Sequence, residues 1–343
     1  MGLGGFPDVE LAEARAQARA ARSLLAQGKD PIRERREAKK KLATELAAQK
    51  SFSDCAREFI DGKSAEWRNT KHASQWTNTL RAYADPVVGK LAAAEIELTH
   101  VTQILRPIWT TKTETATRVR ARIEAVLDWA AVHGYRNGAN PARWTGNLDK
   151  VLPLPSKVAK VKHHEALPYA ELPAFYRDLA TQESQGALAL RFAILTAARS
   201  GEVRGATWKE VDLNTAEWRI PGSRMKAGRD HRVPLSSAAV DLLRTVPLRT
   251  ADAFVFPSTA GKSLSDMTLL AVLRRMRVSA VPHGFRSTFK DWATEQTGHS
   301  REAVELALAH TIEGKVEAAY RRGDLFERRR ALMEDWAAFC ASK

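Results

Sequence analysis

From Ser51 to about Trp144 the apolar residues return at helical spacing with hardly a break. Phe52, Cys55, Phe59 and Ile60 are followed by Trp76, Leu80 and Tyr83, then Val101, Ile104 and Leu105, then Val119, Ile123, Val126, Leu127 and Trp129. A recurrence of three and four residues lines one stripe of a helix and cannot line one face of a strand, so this stretch is committed to a bundle of four or five helices. Between the core positions lie Lys63, Arg68, Lys71, His72, Arg81, Lys112, Arg118, Arg120 and Arg122, which give the bundle basic faces.

The period changes only once. Glu217 to Ile220 and Arg232 to Leu235 read as two short strands joined by a turn around Ala227 to Asp230, with Lys226 at its shoulder. Helical patterns flank them: ALPYAELPAFYRDLA and GALALRFAILTAARSGEVRGATW before, Ser237 to Val246 and Asp266 to Val278 after, and a final amphipathic helix from Leu325 to Phe339. Its Leu332, Trp336 and Phe339 could pack on a neighbouring protomer or cap their own domain, and both readings stay open. Residues 146–165 break the periodicity with prolines and lysines and mark a boundary. At the start, a helix capped by Asp8 and closed by Gly28 leads into a charged helical connector. The expected organisation is therefore 1–50 as an N-terminal helix and connector, 51–145 as a helical domain, 146–165 as a linker and 166–343 as an α+β domain. The fold class is mainly α with a small antiparallel β component.

Charge narrows the function. The 343 residues hold 54 Lys and Arg against 40 Asp and Glu, a formal +14, which favours a polyanionic partner, most simply nucleic acid. Cys55 and Cys340 have no metal-ligand spacing, which suits a reduced cytosolic protein. No apolar run approaches a membrane span, and no secretory signal is visible. His163 and His164 have no set of cysteine and carboxylate partners at metal-ligand spacing and read as part of a basic linker. The GKS at 261–263 would need a glycine where Phe256 stands to make a phosphate loop, so nucleotide hydrolysis is not implied. There is no convincing carboxylate trio for two-metal nuclease chemistry.

The chemistry concentrates in residues 283–322. His283 and Arg286, three residues apart, share a face at the head of a helix entered through Pro282; His310 follows an apolar helix, and Tyr320 comes ten residues later. Tyrosine, with a pKa of about 10, attacks at neutral pH only if its proton is taken and cations stabilise the electrophile. Arginine offers a phosphate a planar two-oxygen fork, and histidine can hydrogen bond or move a proton. Any one of these alone reads more simply as a satisfied core side chain. Together with Arg199 at a helix end and Lys226 on the hairpin, they form a set suited to phosphoryl transfer onto tyrosine.

TAARSGEVRGATW, RMKAGRDHRVPLS, HGFRSTF and LAHTIEGKVEAAYRR resemble, in order and spacing, the signature boxes of the tyrosine recombinase (phage integrase) family, and most closely its prophage and genomic-island integrases. The resemblance spans the α+β domain and, more loosely, the helical domain as a core-binding module. It implies that Arg199 and Arg286 hold the scissile phosphate, Lys226 protonates the leaving 5′ oxygen, His283 acts as acid or base, His310 hydrogen bonds a phosphate oxygen, Tyr320 is the nucleophile and Glu202 supports the site from behind. Arg204, Arg229 and Arg321 are left as DNA backbone contacts or surface charge, and Trp208 and Trp292 as core. The implied activity is site-specific integration or excision of a mobile element, without cofactor or metal. The implied partners are double-stranded attachment-site DNA, three further protomers in a homotetramer on DNA, and accessory DNA-bending or excision factors, with no membrane and a cytoplasmic, nucleoid-associated setting. Relatives carry a small N-terminal arm-binding domain, of which only the last helix is recognisable here, within LGGFPDVELAEARAQARAARSLLAQG. A type IB topoisomerase activity and a non-cleaving DNA-binding relic are the alternatives.

Overall fold

The computed structural model describes the chain apart from residues 1, 3, 6, 49, 68, 69, 160–164, 249, 311–322 and 343, and apart from the side chains of 41–48, 70 and 71. It divides into two compact units, Met1–Val161 and Lys162–Lys343.

The first unit contains α1 (Leu11–Ala26), α2 (Pro31–Ala48), α3 (Phe52–Ser64), α4 (Thr70–Tyr83), α5 (Asp85–Val88), α6 (Leu98–Trp109), α7 (Thr113–Val132) and α8 (Pro155–Val158). Asp8 does not cap the first helix. Glu10 stands at that position without a side-chain bond, and Asp8 lies in the preceding turn. No α1 residue is buried, and Leu11 and Leu25 are 65% and 61% exposed. Gly28, at φ +76°, ends the segment, and Asp30 Oδ1 accepts from the Ile32 amide 2.9 Å away to start α2.

Helices α3, α4, α6 and α7 enclose the core that the periodicity marks out, with Phe52, Cys55, Val101, Leu105, Val119, Ile123, Val126 and Leu127 fully buried. Ser51 caps α3 by accepting from the Asp54 amide. The boundary segment does not leave this core at once: Leu148 and Leu152 are buried in it, and Trp109 Nε1 donates to the Pro153 carbonyl at 2.9 Å.

The second unit contains α9 (Leu172–Ala180), α10 (Gln185–Thr196), α11 (Ser200–Arg204), β1 (Val211–Asp212), β2 (Glu217–Ile220), β3 (His231–Pro234), α12 (Ser237–Thr245), α13 (Thr268–Arg275), α14 (Gly284–Gln296), α15 (Arg301–Ala307) and α16 (Phe326–Cys340). The strands form one antiparallel sheet in the order β1-β2-β3, with Trp218 opposite Val233 and Ile220 opposite His231. Helix α10 is apolar almost all round, as a central helix must be, and its Ala187, Ala189, Leu190 and Phe192 are fully buried.

Helix α16 packs inside its own unit. Leu332 and Trp336 are fully buried, Trp336 Nε1 donates to the Ile194 carbonyl at 2.8 Å, and the indole lies 4.9 Å from the Trp292 ring. Of the two destinations open for this helix, the structure takes the cap. Trp208 and Trp292 are core residues, 6% and 4% exposed. The GKS segment is a loop turn in which the Ser258 amide donates to the Lys262 carbonyl.

Arg204 corrects the expectation of a surface or DNA-facing cation. Its guanidinium turns inward, donating to the Leu264 carbonyl at 2.9 Å and pairing with Asp266 at 2.7 Å, so it ties down the loop before α13. Arg229 is exposed, and Arg321 lies outside the described residues.

Candidate active site

Two helix ends build the site. Helix α10 stops at Ala197 in the left-handed region (φ 48°), and the chain turns through Arg199 into α11. Helix α15 ends with Ala309 at φ 47°, and there the Ala309 amide donates to the Leu306 carbonyl and the His310 amide to the Glu305 carbonyl. This paired closure sets the residue after the left-handed position beside the one three from the helix end, so His310 is brought over Glu305. Unpaired carbonyls at helix C-termini carry partial negative charge. Here arginines take them up.

Arg286, on the first turn of α14, is 5% exposed. Its Nη1 donates to the Ala197 carbonyl at 2.5 Å, and its Nη2 donates to the Leu308 carbonyl and lies 3.3 Å from His310 Nε2. Burial, and then the charge of Arg199, bring its pKa down to about 10, so it remains a cation at neutral pH. Its Nε has no partner among the described residues. Gly284 lets α14 begin here: a Cβ at that position would stand 2.1 Å from the Glu165 carbonyl oxygen, so the HGFR sequence needs its glycine to pass under residues 165–166. Val281 and Thr288 fix the same crossing by donating to the Glu165 and Leu167 carbonyls.

Arg199 donates from Nη1 to Glu202 Oε1 at 2.8 Å and from Nη2 to the Ala309 carbonyl at 3.3 Å, and its amide donates to Glu202 Oε2 at 2.8 Å. Glu202, 5% exposed, therefore caps α11 and orients the arginine with the same carboxylate. Arg224 pairs with Glu210 and donates to the Glu202 carbonyl, which pins the root of the β2–β3 hairpin to α11. Lys226, two residues on, is exposed on that hairpin, and its ammonium joins none of the hydrogen bonds linking Arg199, Arg286 and His310. His283 is exposed at the head of α14, where its carbonyl accepts from the Arg286 amide. The structure thus brings Arg199, Glu202, Arg286 and His310 together. Tyr320 lies outside the described residues.

Residues 52–147 match the phage integrase central domain, residues 165–324 the phage integrase family domain and residues 1–38 the arm DNA-binding domain. Prophage integrase IntZ of Escherichia coli (strain K12) is 33% identical over 340 residues, covering 98% of this chain and 82% of that protein. The chain belongs to the phage integrase family. The integrase of Enterobacteria phage P4 is 28% identical over 99% of this chain and 79% of its own length. Among solved structures, a lambda integrase tetramer bound to a Holliday junction superposes with a TM-score of 0.62 at 15% identity, over 89% of each chain. A lambda integrase dimer bound to a COC′ core site gives the same TM-score over 92% of this chain and 87% of that one. At such identity the likeness is one of fold, and the tyrosine recombinase fold is mainly α with a small antiparallel sheet, as found here.

Two residues of this phage integrase family site escaped the sequence reading. Glu305 holds His310 Nδ1 at 2.6 Å and Lys290 Nζ at 2.7 Å. His231, the first residue of β3, is largely buried close to Arg329, Arg199 and Arg286; burial, and then those charges, lower its pKa to about 4 and keep it neutral. The signal for Glu305 was its spacing of five before His310 at a helix end. His231 gave no signal, since the expected strand begins at the next residue, Arg232.

Proposed function

We propose that this integrase family member is a site-specific DNA recombinase that breaks and rejoins DNA through a 3′-phosphotyrosine. The observation that carries the reading is the convergence of Arg199, Arg286 and His310 on two helix ends, with a buried guanidinium whose Nε has no partner among the described residues. A scissile phosphodiester is the ligand this set suits: planar, charged forks take its non-bridging oxygens, and His310 adds a further contact.

Tyr320 Oη attacks phosphorus as His283, acting as base, takes its proton; the bond to the 5′ oxygen breaks, and Lys226 gives that oxygen a proton. The 3′ phosphate is then esterified to tyrosine. A 5′ hydroxyl from a partner strand attacks the ester and restores the diester, so no external energy source is required. Attachment-site duplex is the substrate, four protomers on two duplexes would exchange strands, and accessory DNA-bending or excision factors could set direction. In domain terms, 51–145 would bind core DNA and 166–343 would cleave it.

The test is covalent capture. Nicked duplexes that trap the cleaved strand are selected on the protein from a randomised pool and resolved on a denaturing gel. The wild-type protein should give a shifted protein–DNA band, and Tyr320→Phe should bind the same duplex without one. A band that persists in Tyr320→Phe would assign the attack to another residue. Relaxation of supercoiled DNA without exchange would favour topoisomerase activity, and binding with no capture a relic.

A further inference from the structure

Glu305 stands behind the site with both oxygens committed. Oε2 is 2.6 Å from His310 Nδ1 and Oε1 is 2.7 Å from Lys290 Nζ, with the carboxylate only 15% exposed. Burial alone would raise its pKa, but Lys290 and His310 outweigh that and hold it below its ordinary value, so it is a carboxylate. A carboxylate only accepts, which makes His310 Nδ1 the donor. On the other side of the ring, Nε2 faces Arg286 Nη2 at 3.3 Å. A guanidinium only donates, so Nε2 presents a lone pair to it.

That tautomer cannot hydrogen bond a phosphate oxygen, because two acceptors would face each other. For His310 to donate to the phosphate, Nε2 must acquire a proton while Nδ1 keeps its own. We propose that Glu305 is a positioning residue that readies His310 to take one proton from solvent as a DNA phosphate enters, so that His310 meets the phosphate as an imidazolium. This rests on the recombinase reading above.

The groups around the ring set the balance. Burial first, then Arg286 from α14 and Arg199 from the turn before α11, oppose a second proton on His310 and lower its pKa, which favours the neutral ring. Glu305 favours that proton. Lys290 on α14 weakens the favour by pairing with Glu305, Glu202 engages Arg199, and His231 on β3 is neutral. An arriving phosphate adds negative charge beside the arginines, which tips the ring toward the cation.

The test is the pH profile of covalent capture between about pH 6 and 9, on nicked duplexes selected by the wild-type protein. If the cation is the working form, capture declines as pH rises through the His310 pKa of the DNA complex. Glu305→Gln keeps an acceptor for Nδ1–H and removes the charge, so the alkaline decline should move about one pH unit toward acid, a loss of about tenfold on the alkaline side with rates converging at low pH. Lys290→Met should move the decline the other way. In a His310→Asn background, Glu305→Gln should cause no further shift. If Glu305→Gln and Lys290→Met both give profiles parallel to wild type, Glu305 is only structural and the proposal is overturned; Lys290→Met decides alone should Glu305→Gln fail to fold by its melting curve. Absence of capture by the wild-type protein would instead remove the recombinase reading, and this proposal with it.

Discussion

Replacing Arg286 by lysine keeps the charge and should still disable cleavage. The guanidinium joins the ends of two helices, donating from Nη1 to the Ala197 carbonyl at the end of α10 and from Nη2 to the Leu308 carbonyl at the end of α15. An ammonium occupies one point and can serve one of these ends, leaving the other carbonyl buried and unpaired. Such a loss costs about 2–3 kcal/mol, or a fall in melting temperature of roughly 5–10 °C in a unit of this size. The unit should stay folded, since domains hold about 5–15 kcal/mol. At the phosphate the fork is gone, and by analogy with removal of one preorganised donor from an anionic transition state the cleavage rate should drop about 10²–10³-fold. Duplex affinity should change by less than about fivefold, because many other cations share the backbone contacts in the ground state. Single-turnover capture on a nicked duplex, gel-shift affinity and a thermal melt measure the three effects. Capture within about fivefold of wild type, or an affinity loss that matches the loss of capture, would refute the two-ended fork.

Lys226→Ala should cleave ordinary DNA slowly yet approach the wild-type rate on a substrate with a 5′-bridging sulfur, a leaving group that departs without a proton, while Arg199→Ala stays slow on both; equal impairment of Lys226→Ala on the two would reduce the lysine to a DNA contact. His231 is held neutral with its pKa lowered from 6.5 to about 4, so the unfolded chain binds the extra proton first as pH falls: stability is lost from pH 6.5 downward and the loss is complete below about pH 4. Between pH 6.5 and 5 that is about 2 kcal/mol, and His231→Gln should flatten the pH dependence of the melting temperature over that window; an unchanged slope would show the imidazole is not the group responsible. Trp336→Phe should cost about 2–3 kcal/mol through the lost bond to the Ile194 carbonyl and the void beside Trp292; a change under about 0.5 kcal/mol in chemical denaturation would mean that α16 does not close its own unit.

What the sequence made legible is what local pattern controls. Strand β2 falls at Glu217–Ile220 as expected, because Trp218 and Ile220 are bulky core residues in a short run bounded by turn-formers. Strand β3 begins one residue early, at His231, since its register is set by pairing with Ile220. The two-residue β1 is too short to show alternation. Arginines were the least readable residues. Arg204 reads as a DNA contact or surface charge, yet it finds the Leu264 carbonyl, and Arg329, which draws no reading from the sequence, is 1% exposed and donates to the Arg232 and Asp324 carbonyls. Their partners lie far off in sequence or on the main chain, where residue type carries no information. The pairing of Glu305 with His310 was hidden for a related reason: the left-handed residue between them is alanine, where glycine would have announced the turn. The motif residues Arg199, Glu202, Arg286 and His310 do meet in space; Tyr320 falls outside the described residues.

Charge within the hydrogen-bonded set gives the assembled site its direction. Arg199, Arg286 and Lys290 are balanced against Glu202 and Glu305, which leaves one positive charge over while His310 is neutral. A phosphodiester brings one negative charge, so this set would match the ground state of the proposed substrate. In the mechanism proposed above, negative charge at the non-bridging oxygens would grow toward a second unit as tyrosine adds to phosphorus, and only groups that meet this growth would accelerate the step. Further permanent cations would strengthen ground-state binding as well. On the proposal above, a ring that gains its proton as the phosphate settles would add the second positive charge at the atom nearest the change, and a proton from Lys226 would answer the charge on the departing oxygen. The helix-end carbonyls that hold Arg199 and Arg286 fit the same logic, since forks fixed in this way leave little reorganisation for the proposed chemical step.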